Sequence, residues 1–553
     1  MKKRDFINPI VKTWAAISLF IIGALQEPLY AEAPKPKYNV LLLMTDQHRP
    51  DAMSRYGDPH AITPALDDLA ASGMSFRQTY CQSPKCMASR LSILTGRYEH
   101  SIGKYFDRGD FSVWTSFAQV LRSNGYKTAC FGKLHTPDRD GLDWDVYFTG
   151  YEEKKGRRYP KPENAVKVHD LEDAALGAIG APHYIPEEGH MEWSVKERTI
   201  AFMKEHRDQP WMIQCSLHGP HPPFQPPQRY WDMVNPANFK INLPGNSLKD
   251  SNPRYKETIA ERGYNTFTDE KKRSGMQGYY GNLAQCDATF LEVLNAVDEL
   301  GLRNKTLVIY VSDHGEMLGQ HGLWGKQVFF DASVRVPLIM RLPGVIPEDK
   351  QSKALVEAID IYPTILDITG YKTPASVQGI SLVPVISGKN DKHRDVVRCE
   401  YPGASFNGKK ARALMQFDGR FKVVDNGTDY PPELYDHKTD PHETKNIGAD
   451  PKYREMLRKT IEELRAWEKT DPPKLKSDPK SSEEKKKRTA EERAKRTETV
   501  FKRADKDGDG SISLEEFHGR AKDDELKAKK AESFNKLDKN SDGKLSLEEM
   551  TRR

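Results

Sequence analysis

The sequence predicts an α/β fold: a large sheet with helices on its faces, then a small α+β unit, then an all-α tail. Three observations predict it. Apolar runs of strand length each end abruptly in a polar cluster, helical stretches lie between them, and the C-terminal stretch carries two acidic loops between charged helical runs. At 553 residues the chain is longer than one compact core ordinarily holds, which predicts a large domain plus at least one smaller unit.

Taken in order, Lys2, Lys3 and Arg4 precede an apolar run from Trp14 to Leu25 and the sequence Leu29-Tyr30-Ala31-Glu32-Ala33. That is the layout of a secretory signal peptide over residues 1–31, with cleavage expected after Ala31 and Ala33 as the second choice, and it predicts a secreted, periplasmic or extracellular protein. An uncleaved anchor is the competing reading. No later segment offers the ~18 apolar residues of a spanning helix, so no stable membrane insertion is expected once the leader is removed. Next come four strands, Val40 to Met44, Lys127 to Phe131, Trp211 to Leu217 and Leu307 to Val311. Helical stretches such as Thr115 to Ser123 and Ala284 to Leu300 lie between them. In open α/β sheets ligands collect beyond the carboxyl ends of the strands, where the polar clusters fall. The domain so formed is expected over 32–390. From Arg398 the texture shifts to short strands (Ala411 to Gln416, Arg420 to Val424) and a helix from Tyr453 to Lys469, a small subdomain over 391–470. The proline-rich, polar stretch after Asp471 reads as a charged linker over 471–495. Glu483 to Lys502 is charged at helical spacing, which most simply makes a solvated face.

A net charge of +5 on this length gives no reason to expect a nucleic-acid partner. The six cysteines have neither zinc-like nor redox-like spacing and are too few for a disulfide scaffold.

The strongest local pattern is Cys86-Met87-Ala88-Ser89-Arg90-Leu91-Ser92-Ile93-Leu94-Thr95-Gly96-Arg97. Gly96 can end a helix that begins near Cys86, and the free amides at the start of such a helix favour a tetrahedral anion. This segment resembles the sulfatase family, in which Cys-x-Pro-Ser-Arg is followed by a leucine-rich turn and Thr-Gly-Arg. The resemblance implies an alkaline phosphatase-like three-layer fold with a large mixed sheet. It also implies that a formylglycine-generating maturation enzyme oxidises Cys86 to formylglycine, whose hydrate would be the nucleophile. Ala88 stands where the family usually has proline, which leaves the maturation system open.

Two adjacent pairs at strand ends, Asp46-Gln47 and Asp313-His314, offer the oxygen-rich ligation that suits a hard cation. By resemblance these four hold calcium against the formylglycine. Gln47, a neutral amide, is similar to the branch that includes choline sulfatases and phosphonate monoester hydrolases and leaves manganese open. Gly132-Lys133-Leu134-His135, Pro220-His221-Pro222-Pro223-Phe224 and Gly322-Leu323-Trp324-Gly325-Lys326 resemble three further family segments. The resemblance implies that Arg90 and Lys133 steady the nucleophilic oxyanion and that His221 and Lys326 bind sulfate and protonate the leaving alcohol. His135 then takes the proton from the second hydroxyl. His48, His100, His218 and His321 lie near these motifs and read as pocket or structural residues.

In the tail, Asp505, Asp507 and Asp509 with Gly510 and Glu516, and Asp538, Asn540 and Asp542 with Gly543 and Glu549, complete two EF-hand loops. Ser511 and Lys544 hold the seventh loop positions, and Ile512 and Leu545 supply the apolar eighth. An EF-hand pair binding two calcium ions is expected over 496–553, with Phe501, Phe517 and Phe534 in a shared core. Calcium-dependent stiffening of the tail is preferred to a dockerin-like interaction role.

The combined reading is a sulfuric ester hydrolase acting on a sulfated carbohydrate. Rival readings are a phosphonate monoester or phosphodiester hydrolase of the same superfamily, and a noncatalytic calcium-binding surface protein. Substrate recognition is expected in the stretch Tyr151 to His190.

Overall fold

The computed structural model describes residues 38–102, 114–136, 143–149, 180–246, 252–406, 409–470, 498, 501, 504–507, 509–518 and 524–551. The predicted leader over 1–31 and linker over 471–495 lie outside them. The chain forms two compact units, divided between Pro473 and Lys474.

The first unit is built on a nine-stranded mixed sheet. Its strands are β1 (Asn39–Asp46), β2 (Met74–Tyr80), β3 (Lys127–Gly132), β4 (Val146–Phe148), β5 (Trp211–Pro220), β6 (Thr306–Ser312), β7 (Arg335–Val336), β8 (Leu338–Arg341) and β9 (Lys350–Glu357). They run in the order β4-β3-β5-β1-β6-β8-β2-β7, with β9 also paired to β2. The strands β4, β3, β5, β1 and β6 are mutually parallel, and β8 then pairs antiparallel to β6. Every residue of β1 is buried. Val40, Leu42 and Met44 enter one core and Leu41 and Leu43 the other, which is why this strand reads as an unbroken apolar run.

Helices cover both faces: α1 (Pro64–Ala71), α2 (Cys86–Thr95), α3 (Phe117–Ser123), α4 (Met191–Glu205), α5 (Asp269–Glu299) and α6 (Ile361–Thr369). The α3 helix starts where Ser116 Oγ accepts from Gln119 N at 2.9 Å. The largest departure from expectation is α5, which begins at Asp269 rather than Ala284. Gly275, Gly278 and Gly281 weaken its helical signature in the sequence. Gly278 and Gly281 are there for close packing: a Cβ on Gly278 would lie 2.2 Å from Phe224 O, and one on Gly281 would lie 2.7 Å from Pro226 Cγ. Thr268 Oγ1 caps the new start by accepting from Lys271 N.

A four-stranded antiparallel sheet follows, β10 (Val397–Phe406), β11 (Lys409–Phe417), β12 (Phe421–Asp425) and β13 (Glu433–Asp436). Helix α7 (Arg454–Trp467) packs Leu457 and Leu464 onto Leu414, Val423 and Leu434.

The second unit contains β14 (Ile512–Ser513), α8 (Leu514–His518), α9 (Asp524–Leu537), β15 (Lys544–Leu545) and α10 (Leu547–Thr551). Ile512 and Leu545 pair across the short antiparallel bridge and share a core with Phe501 and Phe534, against which Phe517 packs. Among the described residues no helix is long and apolar enough to cross a membrane.

Candidate active site

Parallel register brings the polar clusters to one end of the sheet. Asp46 at the end of β1 is level with Pro220 of β5, Thr45 with Ser312 of β6, and Gly132 of β3 with Ser216 of β5. The residues that follow, Gln47, Lys133, His221 and Asp313, therefore leave four adjacent strands at a common edge. Helix α2 begins at Cys86 and ends at Gly96 in the left-handed region (φ 66°), so Cys86 occupies its first turn and Arg90 lies one turn on. Lys326 arrives from the loop after β6.

The side chains meet. Cys86 Sγ lies 3.0 Å from Lys326 Nζ, 3.2 Å from His314 Nε2 and 3.7 Å from Asp46 Oδ1. Lys133 Nζ is 2.5 Å from Asp46 Oδ2. Arg90 ties the site together: Nε donates to Asp313 Oδ2 at 2.7 Å, Nη2 to Asp46 Oδ2 at 3.3 Å, and Nη1 to Lys133 O at 2.6 Å and Ser216 Oγ at 2.8 Å. Lys326 Nζ also donates to Gln47 Oε1 at 2.6 Å. Asp46, Asp313 and His314 are fully buried, so these charges act on one another with little screening by water. His221 donates from Nδ1 to Pro222 O at 2.6 Å and packs against His218 with ring centres 4.8 Å apart. His135 is the exposed member.

Proton affinities follow from this crowding. Burial and the Asp46 carboxylate push the Cys86 thiol up, but Lys326, His314 and a hydrogen bond with His135 outweigh them and hold it well below the usual thiol range. Burial likewise opposes ionisation of Asp46, and Lys133, His221, Lys326 and Arg90 overcome it. Asp313 goes the other way, raised by burial and by the Asp46 charge. Burial lowers His314, yet Asp313 carries it up to about 9.

Asp46, Cys86, Asp313 and His314 present one ligand atom each within 4.8 Å of one another. With Gln47 Oε1 beside them, two carboxylates, an amide oxygen and an imidazole fit a divalent cation that favours oxygen.

The neighbouring histidines are structural in geometry. His48 bonds Tyr310 Oη and Ala52 O, His100 pairs with Glu400, and His321 bonds His442 O while stacking on Phe330. Arg97 is buried away from the cluster, donating to Ser376 O and Ser101 O and lying over Trp114. Most of the expected recognition stretch, residues 150–179, lies outside the described residues.

Ser89, quoted in the motif without a role, and Glu316, which escaped the sequence reading, complete the surroundings. Ser89 Oγ donates to Asp313 O at 2.5 Å, and Glu316, fully buried, accepts from Gln47 Nε2, Leu318 N and Gly325 N. The one mark Glu316 leaves in the sequence is an acidic side chain two positions after His314.

In the tail, Asp505, Asp507 and Asp509 place carboxylate oxygens within 4.8 Å of one another. Glu516 closes the first loop by accepting from Lys506 N at 2.7 Å, and Glu549 closes the second from Lys539 N at 2.9 Å. Gly510 N and Gly543 N donate to Asp505 and Asp538 at 3.1 and 2.9 Å. Asn540 Nδ2 donates to Asp542 at 2.9 Å, and Ser511 Oγ to Asp509 at 2.7 Å. The Lys544 ammonium crosses to the first loop, 2.8 Å from Asp509.

Comparison with known proteins accords with this geometry. A sulfatase family model matches residues 38–371, one for the C-terminal part of N-sulphoglucosamine sulphohydrolase matches 319–470, and one for an EF-hand domain pair matches 495–553. An arylsulfatase of Clostridium perfringens is 30% identical over 76% of this chain and 92% of its own length. An N-acetylglucosamine-6-O-sulfatase of Bacteroides thetaiotaomicron is 26% identical over 83% of this chain and 91% of its own. The solved structure of a phosphonate monoester hydrolase from Silicibacter pomeroyi superposes with a TM-score of 0.68 at 26% identity, covering 79% of this chain and 97% of that one. The fold is thus that of the alkaline phosphatase superfamily, and within it the chain belongs to the sulfatase family of sulfuric ester hydrolases.

Proposed function

We propose that the protein cleaves sulfate esters on a sulfated carbohydrate, with a nucleophile made by oxidising Cys86 to formylglycine. The observation that carries this reading is the meeting of Cys86 Sγ, Lys326 Nζ, His314 Nε2 and Asp46 Oδ1 at the end of the parallel strands. The carbohydrate is supported by the N-acetylglucosamine-6-O-sulfatase relative.

Asp46, Gln47, Asp313 and His314 would hold calcium, which supplies positive charge beside the sulfate oxygens. A formylglycine at position 86 would supply, as its hydrate, the attacking hydroxyl. The rest falls to side chains already in place. Lys133 and Arg90, both on Asp46, fix the charge around the nucleophile. Lys326 stands next to the position 86 side chain, where it binds sulfate and meets charge growing on the bridging oxygen. His221, held by its Nδ1 bond to Pro222 O, would protonate the leaving alcohol from Nε2 when the ring carries both protons, and be left neutral. Exposed His135, within hydrogen-bond reach of Cys86, takes the later proton out to solvent.

The superposition with a phosphonate monoester hydrolase favours one second reading, a phosphonate or phosphodiester substrate. Sulfate, phosphonate and phosphodiester derivatives of one alcohol decide between them: sulfate should give the highest kcat/KM, and a phosphonate preference would overturn the assignment. Mass spectrometry of the Cys86 peptide from the native source tests the nucleophile. Loss of the thiol with gain of an aldehyde is expected, whereas cysteine throughout would overturn it.

The remaining assignments belong to the same proposal: export through the 1–31 leader, a catalytic domain over 32–390 completed by 391–470, a linker over 471–495, and a tail over 496–553 that takes calcium through Asp505, Asp507, Asp509, Ser511 and Glu516 and through Asp538, Asn540, Asp542, Lys544 and Glu549.

A further inference from the structure

We propose that Glu316 is a positioning residue that decides which end of the Gln47 amide faces the Asp46–Asp313 cluster, and that it holds the Lys326 loop in place with the same carboxylate. The proposal rests on the reading of that cluster as a metal and sulfate site. Glu316 is fully buried. Its Oε2 accepts from Gln47 Nε2, while Oε1 accepts from Leu318 N at 2.9 Å and Gly325 N at 2.5 Å. The far end of the Gln47 amide, Oε1, accepts from Lys326 Nζ at 2.6 Å.

The orientation is determined from both ends. Rotating the amide by half a turn would set Oε1 against the Glu316 carboxylate and the NH2 against the Lys326 ammonium, so both contacts would become repulsive. The Gln47 backbone is itself in the left-handed region (φ 73°), with its carbonyl accepting from Tyr279 Oη at 3.1 Å, which fixes the point from which the side chain reaches both partners. On the loop side, Gly325 N bonds Glu316 while Gly325 O accepts from Met317 N at 2.8 Å, so the residue before Lys326 is clasped from both its polar groups. One buried carboxylate thereby couples the amide ligand to the sulfate-binding lysine. It also explains why an amide stands at position 47: a carboxylate there would face a second buried carboxylate across the contact.

The test exchanges the two chemistries. Glu316→Gln keeps the two backbone bonds but can donate to Gln47, releasing its orientation; Gln47→Glu sets carboxylate against carboxylate; the double variant restores one acceptor toward the cluster and one donor toward it from position 316. Calcium titration of the full chain by calorimetry, in which the tail loops contribute the same isotherm to every variant, reads the cluster directly. Each single variant should weaken calcium there about tenfold or more, with a lower kcat against a sulfate ester and a smaller change in KM, and the double should recover to within about threefold of wild type. A Glu316→Gln variant with wild-type calcium affinity and kcat, or a double variant as impaired as the product of the singles, would overturn the proposal while leaving a competent wild type. A wild type that neither binds calcium at the cluster nor hydrolyses sulfate esters would overturn the reading of the site and this inference with it.

Discussion

Lys326 sits 3.0 Å from Cys86 Sγ and 2.6 Å from Gln47 Oε1, yet it comes from a loop with no regular structure. Its ammonium faces the Cys86 side chain, where the proposed reaction sets the sulfate ester. Lys326→Ala should therefore lower kcat/KM by about 10²- to 10³-fold, the loss usual for one preorganised charge-stabilising group, without preventing conversion of Cys86. The two effects are separated by steady-state kinetics and mass spectrometry of the same preparation. Cys86→Ala should abolish turnover; equal slow hydrolysis by mature wild type and variant would remove the residue from catalysis. At this scale the sequence was highly legible, because Cys86, Asp46, Lys133 and Asp313 each follow or precede a recognisable element. Glu316 was not. Two of its three bonds go to backbone N–H groups, whose positions no side-chain pattern reveals.

Among the elements, β10–β13 meets the large-sheet domain through ionic contacts the sequence did not announce. Lys422 on β12, fully buried, lies between Asp331, at 2.5 Å, and Glu443, with His437 bonded to the latter. Asp331, His437 and Glu443 have the spacing of a metal site, and the lysine ammonium stands among them in the place of a cation. Lys422→Met should cost about 3–5 kcal/mol, measured by denaturant unfolding, because Glu443 would stay buried without its lysine while Asp331 would keep only Arg335, 3.0 Å away. A second buried group is Asp360 before α6. Burial raises it, but Arg394 together with hydrogen bonds from Arg394 and His393 brings it down to about 2. A carboxylate depressed in the fold stabilises above its unfolded pKa of about 4 and loses that stabilisation as pH falls toward 2. Arg394→Met should lower stability at pH 5 and flatten the dependence between about pH 4 and 2, as read from thermal unfolding. Strands β1, β3, β5 and β6 were legible as apolar runs, β11 and β12 as short strand-like pieces, and the Arg454–Trp467 helix was expected over Tyr453 to Lys469. The first half of α5 was hidden by glycines whose purpose appears only when the Phe224–Pro226 segment lies against them.

For the whole molecule, the two units present separate groups of ligands to the calcium proposed for them. Removing it with a chelator should melt the tail, seen as loss of helical circular dichroism from residues 496–553 expressed within the full chain, and saturation at about 100 times Kd should restore about 2.7 kcal/mol per site. The sulfate-ester activity should fall in the same experiment, at a free calcium concentration set by a different group of ligands.

Strand β1 has consequences for durability as well as for chemistry. It lies between β5 and β6, is buried on both faces, and ends in Asp46. Backbone amides in such a position exchange with solvent only when the entire domain opens, so hydrogen exchange should be slowest there and at Val308 to Val311 beside it. The surroundings of Cys86 are thus fastened, through Asp46, to the last part of the domain to come apart. On heating, catalytic competence and global structure should be lost in a single event rather than in sequence.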